Sequence, residues 1–420
     1  MKKLLSIVLV FFALQTAMAQ TLSPMVVKHK GIDYERLAQI DTLLKYYADK
    51  NQLVGDVVLI VKDNQVVYYK GHGYSNLSAK KSMQADAIFR IMSQTKAITS
   101  LGIMQLFEQG KLGLDQNISD FIPEFKNPKL IKSFNRSDSS FTTTPAKREI
   151  TVRDLLTHTS GIDYPAIGTD TMQAVYAKNN IPSGLGYFNE SLLSKMRALG
   201  TLPLLHNPGE RFTYGLNSDL LGCLIEIISG KSLETYFHKH IFQPLGMKDS
   251  YFNVPATKAA RLAAVYTEDK NQKIIEWSPT FRNIDPKYPL IPKSYFSGGA
   301  GLSSTAFDYA IFLQMLLNGG RYNGKQILGR RTVELMLTPQ LADNVFGNEN
   351  FSLGFAITSN KSANRNMRNQ GSFAWGGYYG TTYWADPKEN LICLIMTQHT
   401  PNSNYDFADK ITNIIYGSLK

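Results

Sequence analysis

A serine and a lysine stand three residues apart at Ser93 and Lys96, within Phe89-Arg90-Ile91-Met92-Ser93-Gln94-Thr95-Lys96. They lie at the mouth of a mostly apolar run, Ala97 to Phe107, that closes on the helix stop signal Gln109-Gly110. This reading puts Ser93 in the first helical turn, where a spacing of three places both side chains on one face. A serine hydroxyl is a weak nucleophile until a base takes its proton, and a lysine can be that base only where its surroundings favour the neutral amine. A helix N-terminus set in an apolar wall supplies such surroundings. Its dipole and free N–H groups also favour the negative charge that develops during acyl transfer. The chemistry on offer is therefore acyl transfer, with Ser93 attacking and Lys96 accepting the proton. The same spacing also fits a capping serine beside a solvated lysine. It recurs at Ser78-Ala79-Lys80-Lys81 in a polar, turn-like stretch, so other segments must decide.

Two further stretches could complete such a site. Tyr214 lies in Asn207-Pro208-Gly209-Glu210-Arg211-Phe212-Thr213-Tyr214-Gly215-Leu216-Asn217-Ser218-Asp219, which leads into an apolar helix, Leu220 to Ile228. A tyrosine held near a lysine can relay a proton to a leaving group, although a core tyrosine would look the same. Phe373-Ala374-Trp375-Gly376-Gly377-Tyr378-Tyr379-Gly380 reads as a glycine-punctuated strand. Paired glycines let a backbone approach a ligand, as a main-chain oxyanion hole requires, and they also mark ordinary bulges. Thr151-Val152-Arg153-Asp154-Leu155-Leu156-Thr157-His158-Thr159-Ser160-Gly161 offers His158 as a triad histidine. A Ser/Lys/Tyr site already has its base, so a structural role is expected for His158.

The elements around these residues divide the chain. Tyr34 to Gln52 carries Leu37, Ile40, Leu43, Leu44 and Tyr47 at helical spacing. Asp56 to Lys62 and Gln65 to Lys70 form a hairpin about Asp63-Asn64. From 97 to 340 the patterns are mainly helical, interrupted by polar or Pro/Gly-rich stretches near 133–150 and 270–300. Phe351 to Thr358, Thr381 to Ala385 and Asn390 to Gln398 read as strands, with Asp386-Pro387-Lys388-Glu389 as a turn, and Tyr405 to Leu419 as a closing amphipathic helix. The expected fold class is α/β: an antiparallel sheet built from N- and C-terminal strands and flanked by helices, with a large, mainly helical insertion. Residues 33–96 and 341–420 would form the α/β part and 97–340 the helical part of one domain.

Met1-Lys2-Lys3, the apolar run Leu4 to Leu14 and the small residues Ala17-Met18-Ala19 read as a secretory signal cleaved after Ala19. The mature chain, 20–420, is expected to be exported to the periplasm or medium, and no later run reaches the roughly 20 apolar residues of a membrane span. At 43% hydrophobic residues over the full sequence, the chain can bury a large core. The formal charge of +11 comes without a Lys/Arg block or nucleic-acid signature, so it reads as a basic surface and no nucleic-acid partner is expected. Cys223 and Cys393, each inside an apolar run, look like core thiols, and the seven histidines show no metal-ligand spacing. Neither metal nor cofactor is expected.

The three segments holding Ser93, Tyr214 and Trp375, the Thr151–Gly161 stretch and Ser297-Gly298-Gly299-Ala300-Gly301-Leu302-Ser303-Ser304, in that combination, resemble the serine β-lactamase and penicillin-binding-protein superfamily over about residues 33–418. The nearest branch is the class C-like one of β-lactamases, D-amino-acid-specific peptidases and esterases. The resemblance implies Ser93 as acylated nucleophile, Lys96 as its base, Tyr214 as proton relay and the N–H groups of Ser93 and Tyr378 as oxyanion hole. It also implies substrate contacts from Trp375, Gly376, Gly377 and Asn217. Two departures bear on substrate. The family's Tyr-x-Asn has Leu216 at its third position, with Asn217 one place on, and its Lys-Thr-Gly is replaced by Trp375-Gly376-Gly377. Tryptophan cannot pair a substrate carboxylate, and a similar Trp-Gly-Gly occurs in the β-lactamase-like esterases. The expected activity is ester hydrolysis on a small molecule. β-Lactam or D-amino-acid peptide hydrolysis is the alternative, and an inactive binding protein is a third reading. Tyr164, Tyr176, Tyr187, Trp277, Phe281, Tyr288 and Tyr295 are expected around the cleft rim, where an apolar substrate would meet them, although a plain core explains several equally well.

Overall fold

The computed structural model describes residues 21–342 and 345–420, so the expected signal segment, 1–19, lies outside the described residues. The N-terminal hairpin forms as β1 (Gly55–Lys62) and β2 (Gln65–Asn76), paired antiparallel. Its turn residues Asp63 and Asn64 have φ of 51° and 61°. This left-handed pair is what a two-residue hairpin turn matched to strand twist requires, and Asp and Asn tolerate it best after glycine. Numbering the sheet's strands in chain order, β3 is Lys81–Ser82, β4 Asn350–Phe351, β5 Ala356–Ile357, β6 Phe373–Gly376, β7 Thr382–Asp386 and β8 Leu391–Met396. They form one eight-stranded antiparallel sheet in the order β4-β5-β6-β7-β8-β1-β2-β3. The two ends of the chain meet at its centre, where Val57 lies opposite Met396 and Lys62 opposite Leu391.

The central strands are apolar throughout because both faces are covered. Along β1, Val57, Leu59 and Val61 belong to one buried cluster, and Val58 and Ile60 to another. The second cluster is closed by α1 (Gln39–Asp49) and by the closing helix Phe407–Gly417, through Ile40, Leu44, Ile411 and Ile415. The first is closed by the helical part of the chain, including α2 (Thr95–Glu108), α3 (Asn217–Ser229) and α4 (Ala306–Leu317). α4 packs on β1 and β8, and α2 packs on α3. Cys223 and Cys393 are free and buried, one in each cluster.

Two expectations change. Phe351 to Thr358 is not one strand but the short pair β4 and β5, folded back at Gly354. Gly354 has φ of 105°, and a Cβ there would lie 2.3 Å from Ser100 Oγ, so the chain reverses where the pattern reads straight on. Within the region read as helical, Lys129–Asn135 and Ser140–Pro145 form a hairpin. It is partly exposed along its length and so lacks the apolar alternation that marks a half-buried strand.

Candidate active site

Ser93 owes its position to a bend. Phe89–Arg90 is a short strand paired with Ser303–Ser304, and two residues on Met92 has φ of 49°, which L side chains rarely adopt. Such a residue costs about 1–3 kcal/mol and persists only where its surroundings hold it. Met92 is fully buried in a cluster with Trp277, Tyr288 and Tyr379. A 3-10 turn, Met92–Gln94, then runs into α2, so Ser93 stands in a tight turn just before the α-helix proper. Lys96, 2% exposed, donates to Ser93 Oγ at 3.3 Å and to the carbonyl of Gly299 at 2.8 Å. Thr99 Oγ1 donates to the Gly298 carbonyl at 2.7 Å. The Ser297–Ser304 segment is thus the wall that fixes Lys96. By contrast Ser78 bonds to Asn76 Oδ1 at 2.9 Å in an exposed turn, and Lys81 bonds to the Ala260 carbonyl.

Tyr214 comes to the same place from the loop before α3. Lys96 Nζ lies 4.6 Å from the centre of its ring and 5.6 Å from that of Tyr164. Tyr214 is wedged between Tyr164, His158 and Trp375, at ring separations of 5.7, 5.0 and 5.6 Å. His158 is wholly buried. Burial, with the charge of Lys96 second, holds its imidazole well below the usual value, so it is neutral, and among the described residues its ring bonds to Asn217 and not to Ser93. Its loop is set by the capping box of Thr151 and Asp154, and Asp154 in turn accepts from both Arg148 nitrogens at 2.6 and 2.8 Å. Asn217 is not at the cleft. It is fully buried, its amide donating to His158 Nδ1 at 2.9 Å and to the Thr213 carbonyl at 3.4 Å while Oδ1 accepts from Ser160 Oγ at 2.5 Å. Those bonds occupy both ends of the side chain, so Asn217 braces the tyrosine loop and does not contact substrate.

The Trp375-Gly376-Gly377 strand reaches Ser93 by close approach. A Cβ on Gly377 would lie 2.4 Å from the Ile91 carbonyl oxygen and 2.3 Å from Thr381 Oγ1. Only glycine allows β6 to dock two residues before Ser93. Gly377 N–H donates to Thr381 O at 2.7 Å, and Gly380 N–H donates to Gly377 O at 2.9 Å. Tyr378 is the second residue of that four-residue turn, a position whose N–H the turn's own bond does not use. The Ser93 N–H, in a first helical turn, has no intrahelical partner either. Both residues line one cavity of about 510 Å3, together with Tyr164, Ile167, Leu185, Tyr214, Trp375, Gly376, His399 and Asn402.

Of the aromatics expected around the rim, Tyr164 lines the cavity. Tyr176, Trp277, Tyr288 and Tyr295 are buried core residues, and Tyr187 and Phe281 are exposed. The sequence reading missed Asp219, which sits wholly buried behind Lys96. Burial raises its carboxyl, partly offset by the Ser297 hydroxyl, the Lys96 charge and the Tyr295 hydroxyl, the last bonding to Oδ1 at 3.2 Å. An acidic residue inside the first turn of an apolar helix was the available signal. Among the described residues, no three His, Cys, Asp or Glu side chains are placed to hold a metal ion, and no helix is long and apolar enough to cross a membrane.

A serine held against a buried lysine is the arrangement of serine hydrolases that use an amine where others use an imidazole. The chain matches the family model described as Beta-lactamase over residues 40–415. It belongs to that family and is a serine hydrolase. Esterase EstB of Burkholderia gladioli is 26% identical over 371 residues, covering 86% of this chain and 90% of that protein. The structure of EstCE1, a hydrolase with promiscuous acyltransferase activity, superposes with a TM-score of 0.78 at 27% identity, over 91% of this chain and 99% of that one. The octameric penicillin-binding protein homologue from Pyrococcus abyssi superposes with a TM-score of 0.66 at 25% identity, over 91% and 78% of the two chains.

Proposed function

We propose that this protein is an exported esterase that works through an acyl-enzyme on Ser93. The observation that carries the ester reading is the cavity lining: among the described residues no Lys, Arg, Asp or Glu contributes to it, and the indole of Trp375 forms its wall beside Tyr214. A neutral ester meets no unpaired charge there, whereas a substrate carboxylate would be desolvated without a partner. Lys96, held by an N–H on the Gly299 carbonyl, acts as the base that takes the proton of Ser93 Oγ as Oγ attacks the ester carbon. The tetrahedral oxyanion is held by the N–H groups of Ser93 and Tyr378. As the carbon–oxygen bond to the alcohol breaks, Tyr214 passes a proton to the departing oxygen. Water then attacks the acyl-enzyme with the same groups in reverse roles, releasing the acid and restoring Ser93. The esterases among its relatives support this reading.

One feature favours the second reading, a β-lactamase or D-amino-acid peptidase. Arg282 donates to the Tyr378 hydroxyl at 2.5 Å, a cation at the cavity mouth that could pair a carboxylate. A panel of p-nitrophenyl esters, a chromogenic cephalosporin and D-alanyl peptides separates the two, and turnover of the peptides without the esters refutes the esterase. Ser93→Ala is expected to abolish turnover and fluorophosphonate labelling while Ser78→Ala retains both. Labelling that survives in the Ser93 variant refutes the nucleophile. Export rests on residues 1–19, and N-terminal sequencing of the exported protein should begin at Gln20; a full-length chain confined to the cytoplasm refutes it.

A further inference from the structure

The loop that carries Tyr164 does not stop at the reacting groups. Tyr164 stacks on Tyr214 with its ring centre 5.6 Å from Lys96 Nζ, and three residues later Ile167 lines the same cavity while 54% exposed. Three residues span at most about 11 Å, so one short loop runs from beside Lys96 to where the cavity opens to solvent. A single exposed isoleucine is ordinary on a protein surface. This one is held in place. Asp163, 2% exposed, accepts from the Tyr164 N–H, the Thr169 N–H and the Thr169 hydroxyl at 2.8 Å each, which closes the loop across its base. Gly168 N–H donates to the Tyr164 carbonyl at 2.9 Å, and the Gln173 side-chain amide donates to the Gly168 carbonyl at 2.6 Å. A Cβ on Gly168 would lie 2.3 Å from Asp163 Oδ1, so the turn is packed against its own anchor. A loop fixed by these bonds cannot turn Ile167 inward without breaking them.

The chemistry that suits this loop follows from its side chains. Tyr164, Ala166 and Ile167 all line the cavity, and the polar groups at the loop's base, on Asp163, Thr169 and Gln173, are spent on one another and on the loop backbone. A second loop brings another aliphatic side chain to the same cavity. Gly184 has φ of 75°, and a Cβ on it would lie 2.9 Å from Ser297 Oγ and 3.2 Å from Asp219 Oδ1, so this loop docks on the wall behind Lys96. Leu185 follows it, packs on the cluster of Met92, Trp277, Tyr288 and Tyr379, and lines the cavity. The lining near Lys96 is thus aromatic, with Tyr164 and Tyr214, and its exposed part at Ala166 and Ile167 is aliphatic. A β-branched side chain is stiff about its first torsion, so Ile167 offers a fixed surface that loses little freedom when it is covered. Such a surface gives no hydrogen bond and no charge. What it rewards is apolar area, at about fourfold in binding for each methylene taken out of water.

We propose that Ile167, with Ala166 and Leu185, forms an outer subsite for an aliphatic chain of the substrate, so that the protein selects esters whose chain runs from the reacting centre to the cavity mouth. The inference rests on the acyl-enzyme reading given above. Two series test it. In p-nitrophenyl acetate, butyrate, hexanoate and octanoate the acyl half grows, and in ethyl, butyl, hexyl and octyl acetate the alcohol half grows. Each ester is measured below its aggregation limit on the wild type, Ile167→Ser, Ile167→Leu and Ile275→Ser, and its kcat/KM is expressed relative to the shortest ester of the series on the same protein. Ile275 is 43% exposed on the hairpin opposite Thr267 and does not line the cavity, so it controls for the loss of any exposed isoleucine. In the series whose chain enters the subsite, the wild-type ratio should rise with length, and the gain from the four- to the eight-carbon ester should fall about tenfold in Ile167→Ser. Ile167→Leu, which keeps the apolar area, should restore it to within about threefold, and Ile275→Ser should stay within about twofold of wild type. The series that responds identifies the half of the ester that carries the chain. Wild-type ratios flat beyond the four-carbon ester in both series, ratios in Ile167→Ser within about twofold of wild type, or an equal loss in Ile275→Ser each overturn the subsite alone when turnover still depends on Ser93. Turnover that survives Ser93→Ala overturns the acyl-enzyme reading and the subsite with it. Melting temperatures verify that each variant folds, and Ile167, being exposed, can be replaced without opening the core.

Discussion

Gly377→Ala should disable the protein without unfolding it. The added methyl would lie 2.4 Å from the Ile91 carbonyl oxygen, where ordinary contacts begin near 3.4 Å, so the turn must retreat from the Ser93 segment by about 1 Å. The neighbour is backbone, pinned by the bend at Met92 and by Thr381 Oγ1, which donates to the same carbonyl at 3.4 Å, so it cannot swing aside as a flexible side chain would. Tyr378 follows directly, and its N–H moves with the turn. A displacement of this size costs about 100-fold where reacting groups must be aligned, and loss of one oxyanion donor costs about 100- to 1000-fold. The expected result is a fall of roughly 100-fold in kcat on p-nitrophenyl butyrate, with KM changed much less, because a transition-state contact is lost. Melting temperature and far-UV circular dichroism establish that the variant is folded. A folded Gly377→Ala protein with kcat within about threefold of wild type would show that Tyr378 N–H is not a donor to the oxyanion.

Trp375→Lys tests the apolar wall. A charge-assisted hydrogen bond is worth about 1.5–3 kcal/mol, so activity on carboxylate-bearing substrates should rise about 10- to 150-fold relative to neutral esters. A parallel fall in both activities with a lower melting temperature would instead leave Trp375 as packing for Tyr214 and Phe351. His158→Gln should keep fluorophosphonate labelling and lose at most about tenfold in kcat, whereas removal of a triad base would cost about a millionfold. The same variant has a pH signature. With the His158 imidazole held below its usual value, the unfolded chain binds a proton below about pH 6.5 that the folded one does not, so wild-type stability falls as pH drops through that window. The variant should lose less melting temperature between pH 7 and 5, and an equal or larger loss refutes the assignment.

The parts of this fold visible in the sequence were those fixed by local chemistry. Asp63-Asn64 announced its hairpin because few residues accept two consecutive left-handed conformations, and Ser93 and Lys96 met because a helical spacing of three brings side chains together. The strands of the C-terminal hairpin, β7 and β8, were legible as apolar runs about a polar turn. What escaped depends on contacts between distant segments. Gly354 reverses the chain because Ser100 fills the space a side chain would need, and no local pattern records that. Asn217 opens its helix fully buried with its amide on His158, and on a helix one residue is about 100° of rotation, so a shift of one place in the sequence pattern changes which way an amide points. Asp219, two residues and so about 200° further round the helix, comes up behind Lys96.

That rotation bears on how the site can act on neutral molecules. The charges near it are kept behind the lining. Lys96 is turned toward the Gly299 carbonyl, Asp219 is sealed beneath it, and Arg90, 2% exposed, spends its donors on Pro286 O, Ala263 O and Gln398 Oε1 at 2.6, 2.8 and 3.0 Å. A buried charge without water still acts across several ångströms, because the interior screens it weakly. The surface that a substrate touches can therefore be aromatic and uncharged while Lys96, charged once it has taken the Ser93 proton, acts on the reacting oxygen from behind it. An ester, which carries no charge until its carbonyl is attacked, gains from that field only as the oxyanion forms, so the stabilisation falls on the transition state and not on the bound substrate.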